Sequence, residues 1–123
     1  MTRIIADISV SLDGFVTGPD AGPDNGLGTG GEALHLWAFS DDPEERRLLS
    51  EAATRSGAVV LMGGGATIAS ALEAGLVDVL SLHLAPVVLG SGTPLFTGGA
   101  PRSLVRRSVI ATPSATHLTY DVF

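Results

Sequence analysis

The chain has 123 residues, of which 45% are hydrophobic and 16% are charged, a composition typical of one globular domain with a modest core. Its net charge of −6, with arginines but no lysine, argues against nucleic-acid binding, which needs a basic face. No apolar run is long enough to span a membrane, no secretion signal opens the chain, and no cysteine is present for disulfides, so we expect a cytoplasmic protein.

The first half of the chain predicts a strand, a long loop and a helix. Residues 3–10 are rich in β-branched side chains, which favours a buried strand. Glycine, proline and aspartate dominate residues 17–31, which is typical of a functional or mobile surface loop. Asp41 or Asp42, followed by Pro43 and two glutamates, predicts a helix start. The buried stripe of that helix is predicted to be Leu48, Leu49, Ala52 and Ala53, with Gly57 after its end.

The second half predicts four more strands and one more helix. Residues 58–62 are a candidate strand, and residues 67–74 a helix that buries Ile68, Ala71 and Leu72 and ends at Gly75. A strand region at 77–88, bent near Pro86, precedes two strands at 104–111 and 116–123 joined by a hairpin-length turn. The resulting β-α-β-α-β-β-β order favours an α/β layer structure with a parallel start and an antiparallel finish.

Three consecutive glycines, Gly63, Gly64 and Gly65, join the second strand to the second helix. Such a turn leaves backbone N–H groups free at the positive end of the helix dipole, and the missing Cβ atoms let an anion come close. A phosphate is therefore the expected ligand. The alternative is a tight strand-to-helix connection that binds nothing, although a simple turn rarely needs three glycines.

Several polar and aromatic residues are further candidates. Asp13, in the turn after the first strand, is placed to orient a polar ring or relay a proton, or is a solvated turn carboxylate. Asp7 lies inside an apolar strand, where it either serves as a second carboxylate, faces solvent or pairs with an arginine. Trp37, the sole tryptophan, is flanked by His35 and Phe39 and is typical of a core or lid residue.

The histidines predict no metal site because their spacing does not suit metal ligands. His83 lies among leucines and His117 lies on the last strand, so both are expected to be core residues with satisfied hydrogen bonds. No Gly-x-Ser-x-Gly nucleophile motif and no lysine-bearing phosphate loop is present.

Four segments carry a family resemblance: ISVSLDGF at 8–15, MGGGAT at 62–67, AGLVD at 74–78 and HLAPVVLGSGTPLF at 83–96. Together with Trp37 and the acidic helix start, they resemble the bacterial dihydrofolate-reductase-like family, which includes the C-terminal reductase domain of riboflavin biosynthesis enzymes. The resemblance implies a single domain over 1–123 with a shortened α/β fold, in two or three layers with two main helices. Numbering the five predicted strands along the chain, the implied sheet order is 2-1-3-5-4.

The resemblance also implies a function and a set of site residues. We expect an NADPH-dependent reductase of a planar heterocycle, such as a pterin or a pyrimidine precursor of riboflavin. The implied cofactor-binding residues are Gly63, Gly64, Gly65, Ala66, Thr67, Ile68 and Gly14. The implied wall around the nicotinamide and the substrate consists of Ser11, Leu12, Phe15 and Trp37, with Asp13 as the catalytic candidate.

The chain departs from the family in length, since family members are roughly one and a half times as long. The strand at 58–62 runs directly into the glycine turn, which indicates an internal deletion near 60–63. The absent segment would supply much of the adenosine and 2′-phosphate site. We therefore expect NADPH binding to be weak or lost and activity to be well below that of a full-length family member. The strand would also become an apolar sheet edge, which we expect a second copy of the chain to cover.

Two alternatives to the reductase remain at this point. One is a non-catalytic module of the same fold that associates into a homodimer or higher homo-oligomer through the exposed strand edge. The other is a phosphate or mononucleotide binder that uses the glycine turn alone.

Overall fold

The computed structural model describes residues 3–53, 58–61, 65–96 and 101–122. In chain order its elements are β1 Arg3–Ser11, β2 Phe15–Thr17, a 3-10 helix Gly31–Phe39, α1 Pro43–Ala53, β3 Ala58–Leu61, α2 Gly65–Glu73, β4 Val79–Ala85, β5 Thr93–Pro94, β6 Leu104–Thr112 and β7 Ala115–Val122. No described helix is both long and apolar enough to cross a membrane.

Five strands form one sheet in the order β3-β1-β4-β7-β6. Strand β1 runs parallel to β3 and to β4, whereas β7 is antiparallel to β4 and to β6. This arrangement confirms the predicted strand order and the parallel start with an antiparallel finish. The short strands β2 and β5 pair as a separate two-stranded sheet, which the sequence analysis did not predict.

The two faces of the sheet differ in chemistry because successive side chains of a strand point to opposite sides. One face is apolar and packs against α2 through Ala6, Val10, Ile68, Leu72 and Leu80. The opposite face is polar and buried. It carries Asp7, Ser9, Ser11, Ser81, His83 and His117. The 3-10 helix and α1 cover this polar face, so the fold has three layers.

Local sequence features define the start of α1 and the end of α2, as predicted. The carboxylate of Asp42 caps α1, where its Oδ1 accepts hydrogen bonds from the backbone N–H of Glu44 at 3.0 Å and of Glu45 at 3.1 Å. Helix α2 ends at Gly75, whose φ of 70° is left-handed. The N–H of Gly75 bonds the Leu72 carbonyl and the N–H of Leu76 bonds the Ala71 carbonyl, which is a Schellman end.

The predicted buried stripe of α1 is wrong at Leu49, which is 41% exposed, and Leu48 is half-buried. Among the side chains of α1 that the structure describes, the fully buried one is a carboxylate, that of Glu45. The structure does not describe the side chains of Ala52 and Ala53, and Gly57 lies outside the described residues. Within its described part, helix α1 therefore meets the sheet through this buried carboxylate, a polar contact that an apolar-periodicity argument does not detect.

The glycine-rich loop ends in a 3-10 helix that the sequence analysis did not predict. Within the loop the N–H of Gly18 donates to the Leu27 carbonyl at 2.8 Å, and the N–H of Thr29 donates to the Pro19 carbonyl at 2.8 Å. A Cβ on Gly18 would lie 1.8 Å from the Thr29 carbonyl oxygen, so this approach requires glycine. The loop thereby sets the start of the helix that carries Trp37.

Removing the α1 cap tests whether Asp42 stabilises the fold. The Asp42→Ala variant leaves two backbone N–H groups without their acceptor, so we expect the free energy of unfolding to fall by about 1 kcal/mol. Urea titration followed by circular dichroism measures this change. Asp41→Ala is the matched control, because Asp41 makes neither of these bonds; an equal loss in both variants would contradict the assignment of the cap.

Candidate functional site

A continuous row of hydrogen bonds crosses the polar face through five side chains, which we call the polar chain: Asp7, His83, His117, Thr112 and Glu45. Nε2 of His83 lies 2.6 Å from Oδ1 of Asp7. The Nδ1 atoms of His83 and His117 are 2.7 Å apart. Nε2 of His117 lies 2.9 Å from the Thr112 hydroxyl, which in turn donates to Oε1 of Glu45 at 2.8 Å. The polar chain thus joins four strands and α1.

Strand register brings the polar chain together. His83 of β4 pairs directly with His117 of β7 and with Ser9 of β1 across the sheet. Asp7 lies two residues before Ser9, so it faces the same side and reaches the far nitrogen of His83. Thr112 ends β6 at the hairpin, where the backbone N–H of Ser114 also donates to Oε1 of Glu45 at 2.8 Å. Side chains far apart in sequence therefore meet on one face.

Trp37 closes the polar chain from above. Its indole ring stacks on the imidazole of His83, with ring centroids 4.1 Å apart and an interplanar angle of 22°. The centroids of the Trp37 and His117 rings are 5.0 Å apart in an edge-on arrangement, with an interplanar angle of 74°. The Nε1–H of Trp37 donates to the hydroxyl of Ser9 at 3.0 Å. Trp37 is buried, so the indole shields the two imidazoles from water.

Burial and neighbouring charges set the protonation of this site. Burial and the charge of His83, against the opposing effect of the nearby carboxylates, lower the pKa of His117 to about 4. Burial works to raise the pKa of Glu45, but hydrogen bonds from Ser40, Thr112 and Ser114 favour the ionised form and lower it. At neutral pH the structure therefore holds an ionised Glu45 and a neutral His117.

The turn after β1 forms a second polar cluster, around Asp13. Its Oδ1 accepts from the Ser11 hydroxyl at 2.5 Å and from the N–H of Leu89 at 3.1 Å, while its Oδ2 accepts from the N–H of Gly90 at 2.8 Å. The Ser11 hydrogen bond leads the causes that lower the pKa of Asp13. These bonds tie the turn after β1 to the segment after β4. A catalytic role for Asp13 stays a prediction.

The predicted substrate residues do not share one environment. Ser11 is buried on the polar face, the same face that Trp37 covers. Leu12 is exposed, and Phe15 pairs with Pro94 in the small sheet. The structure thus brings Ser11 and Trp37 to the polar face and leaves Leu12 at the surface.

The predicted cofactor residues are described only in part. Gly63 and Gly64 lie outside the described residues, while Gly65 and Ala66 begin α2. Thr67 is exposed in the first turn of α2, and the side chain of Ile68 is fully buried in the core. Gly14 has a φ of 90° and open space where a Cβ would stand. These assignments stay predictions.

The sequence analysis placed His83 and His117 in the core, and both are buried with hydrogen-bond partners as expected. It did not connect them with Asp7, and it did not single out Thr112 or Glu45. A signal was present in the alternation of polar side chains along three strands. These positions are Asp7, Ser9 and Ser11 on β1, Ser81 and His83 on β4, and His117 and Thr119 on β7.

The lowered pKa of His117 predicts acid-sensitive stability. In the unfolded chain a histidine takes up a proton near pH 6.5, whereas folded His117 does so only near pH 4. The unfolded state binds more protons between these values, so the free energy of unfolding should decrease as the pH falls through this window. Urea titrations at pH 7, 6 and 5 measure the slope of the free energy of unfolding against pH. His117→Gln should reduce this slope by the contribution of roughly one proton. A slope unchanged in that variant would contradict the assignment.

Comparison with known proteins gives one family match and several similar structures. The RibD C-terminal domain model matches residues 37–118. No match was found among curated proteins. A structure assigned to riboflavin biosynthesis, from Shewanella sp. PV-4, has a TM-score of 0.61 at 20% identity, with 100% of this chain and 99% of that chain covered. The riboflavin biosynthesis reductase Rib7 of Saccharomyces cerevisiae has a TM-score of 0.56 at 14% identity, with 99% and 89% covered.

A pyrimidine reductase-like protein from Corynebacterium diphtheriae has a TM-score of 0.50 at 26% identity, and the match covers 68% of this chain but 36% of that one. The first two similarities lie below 25% identity and show the fold. The family match extends from Trp37 to Leu118, about two thirds of the 123 residues, and includes both histidines of the polar chain. This chain therefore belongs to the RibD C-terminal domain family and has a shortened dihydrofolate-reductase-like fold.

Proposed function

We propose that this chain is an NADPH-dependent reductase of a planar heterocycle of the pterin or pyrimidine class. The observation that carries the proposal is that the two connections of β3 pass over opposite faces of the sheet. Helix α1 leads from β1 to β3 over the polar face, and α2 leads from β3 to β4 over the apolar face. Ligands of open α/β sheets bind outside the carboxyl ends of the strands where such connections diverge. The turn around Asp13 lies at the carboxyl end of β1, where these connections diverge.

The described residues near the carboxyl ends of β1 and β3 suit a cofactor with phosphate groups. Helix α2 starts shortly after the carboxyl end of β3, and its first N–H groups have no partner within the helix. Its first turn contains no acidic residue, and Thr67 presents an exposed hydroxyl there. Gly14 leaves open space beside the neighbouring strand end. NADPH, once bound, would supply the hydride.

The polar face suits the substrate side of such a reaction. A planar heterocycle with ring nitrogens needs hydrogen-bond donors and acceptors held in fixed positions in a site that excludes water. On this face the two imidazoles, two carboxylates and the Ser9 hydroxyl hold one another in fixed positions beneath Trp37, and Ser11, a predicted substrate residue, lies on the same face at the carboxyl end of β1. Two of the similar structures, a riboflavin biosynthesis reductase and a pyrimidine reductase-like protein, support this substrate class.

Titration with NADPH tests the cofactor assignment. We expect saturable binding by calorimetry, in the micromolar range, together with a change in fluorescence from Trp37, the sole tryptophan. Oxidation of NADPH in the presence of a reducible pterin or pyrimidine would establish the activity. No binding at millimolar NADPH would overturn the proposal.

A charge introduced at α2 locates the phosphate site. Thr67→Asp places a carboxylate in the first turn, where it stabilises the helix but repels a phosphate. We expect the Kd for NADPH to rise roughly ten-fold, since about 1.4 kcal/mol corresponds to that factor. Ser70→Asp is the matched control, because Ser70 is exposed about one turn further along the same helix. Equal weakening by both variants would place the phosphates elsewhere.

A second candidate function is a self-associating module, which the outer position of β3 favours. Among the described residues β3 is an outer strand of the sheet, and Val59 on it is 48% exposed. An apolar edge strand is a ready template for pairing with another chain. We propose that two copies pair at this edge.

Light scattering after gel filtration tests the pairing. We expect the mass of at least two chains, and Val59→Lys should shift the protein to the monomer because a charge on an edge strand opposes pairing. Val105→Lys is the control, since Val105 is 54% exposed on β6, the other outer strand of the described sheet. A monomeric wild-type protein, or dissociation by the control alone, would contradict pairing at β3.

A further inference from the structure

We propose that Asp13 is a positioning residue, which holds the loop after β4 against the turn after β1 and so preforms the cofactor side of the site. We call its three hydrogen bonds, with Ser11, Leu89 and Gly90, the Asp13 bridge. The role of the bridge in cofactor binding rests on the proposed reductase function. The bridge itself rests on the geometry of the two segments.

The two segments that the bridge joins lie at the same edge of the sheet. Strands β1 and β4 are parallel neighbours, and Ser11 at the end of β1 pairs with Ala85 at the end of β4. The turn after β1 spans residues 12–14, and the loop after β4 includes residues 86–92. Ligands of open α/β sheets bind outside the carboxyl ends of the strands. Both segments therefore border the region in which we propose that the ligands bind.

Backbone hydrogen bonds fix the loop after β4 at its two ends. The N–H of Leu12 donates to the carbonyl of Val87 at 2.8 Å, and the N–H of Leu95 donates to the carbonyl of Gly14 at 2.9 Å. Residues 88–92 lie between these two fixed positions. The position of this middle part therefore depends on what holds it against the turn.

Asp13 contacts the middle of the loop through two successive backbone donors. Its Oδ1 accepts from the N–H of Leu89 at 3.1 Å, and its Oδ2 accepts from the N–H of Gly90 at 2.8 Å. Gly90 has a φ of 80°, a left-handed conformation that favours glycine. Successive N–H groups beside a left-handed residue form a concave site for an anion. Here the carboxylate of Asp13 occupies that site.

The turn after β1 holds the carboxylate from the other side. Its Oδ1 accepts from the hydroxyl of Ser11 at 2.5 Å, and this hydroxyl accepts from the N–H of Phe15 at 2.9 Å. The Ser11 bond leads the causes that lower the pKa of Asp13, and the bonds from Gly90 and Leu89 act in the same direction, against the opposing effect of desolvation. Asp13 is therefore ionised at neutral pH. An ionised carboxylate accepts hydrogen bonds but has no proton to donate to a substrate, which favours positioning over proton donation.

The bridge also fixes the surroundings of Gly14, which follows Asp13 directly. The N–H of Gly14 donates to the carbonyl of Ser11 at 3.0 Å, and a Cβ on Gly14 would meet open space. A ligand that enters this space meets two segments that are already ordered, so its affinity is not reduced by the entropy of ordering them. Asp13 thereby contributes to binding without contacting the ligand.

Backbone order parameters from nitrogen NMR relaxation test the bridge in the absence of any cofactor. For residues 88–92 we expect values of about 0.85 in the wild-type protein, typical of rigid backbone, and values below about 0.6 in Asp13→Ala. Asp20→Asn is the matched control for loss of charge. Asp20 is an exposed carboxylate outside the bridge, and asparagine suits its left-handed φ of 62°. Unchanged order parameters in Asp13→Ala, or a wild-type loop below about 0.6, would overturn the bridge.

The direction of the change in NADPH affinity tests the positioning role. The phosphates of NADPH are negatively charged, so removal of a nearby carboxylate by itself leaves the Kd unchanged or lowers it. Loss of positioning has the opposite effect, and we expect the Kd of Asp13→Ala to rise roughly ten-fold. Asp13→Asn should raise the Kd less, because its amide oxygen still accepts hydrogen bonds, and Asp20→Asn should not raise it. An unchanged or lower Kd in Asp13→Ala would overturn the positioning role.

Steady-state kinetics separate positioning from a catalytic role of Asp13. With a heterocycle that the wild-type protein reduces, positioning predicts that kcat/KM falls in Asp13→Asn through a higher KM for NADPH, while the pH profile keeps its wild-type shape. Proton relay through Asp13 predicts a lower kcat, an unchanged KM and the loss of one limb of the pH profile, a result that would overturn positioning. If the wild-type protein binds no NADPH, the proposed function fails and the positioning role fails with it, while the order parameters still decide whether the bridge exists.

Discussion

The contact between the Nδ1 atoms of His83 and His117 is the interaction on which the polar half of this structure depends. At 2.7 Å one nitrogen must carry a proton and the other must not, so the hydrogen bond forms only when the two rings differ in protonation at Nδ1. The direct pairing of these residues across β4 and β7 fixes the contact, and a one-residue slip of either strand would move its own ring to the apolar face. The polar face therefore specifies the register more sharply than apolar packing alone.

Different interactions stabilise the two faces of the sheet. On the apolar side, α2 is held by the burial of Ile68 and Leu72, a non-directional contribution that tolerates small shifts. On the polar side, α1 approaches the β6–β7 hairpin through Glu45, whose carboxylate is useful only when its hydrogen bonds are made. Burying this carboxylate costs free energy that a leucine would not cost. Its presence is consistent with a chemical role for the polar face.

The sequence predicts most of the fold because the relevant signals are local. The β-branched strand runs, the Asp42 cap and the Gly75 helix end each act within a few residues, and together they establish the strand order once the family resemblance is added. The polar chain escaped prediction because it joins residues 76, 34 and 67 positions apart, at distances no periodicity reports. The 3-10 helix was missed because it follows a loop whose hydrogen bonds, not its apolar pattern, set its start. The glycine turn at Gly63 and Gly64 lies outside the described residues, so its role stays a prediction.

The two proposed functions concern different strands of one sheet. The polar chain lies on the inner strands β1, β4 and β7, with its end on β6, and pairing of a second copy at β3 would not touch it. The predicted phosphate site lies at the start of α2, directly after β3, at the outer part of the described sheet. A partner chain on the β3 edge would therefore lie beside the predicted phosphate site and leave the polar chain unchanged. Self-association and the proposed reduction are thus compatible in this fold.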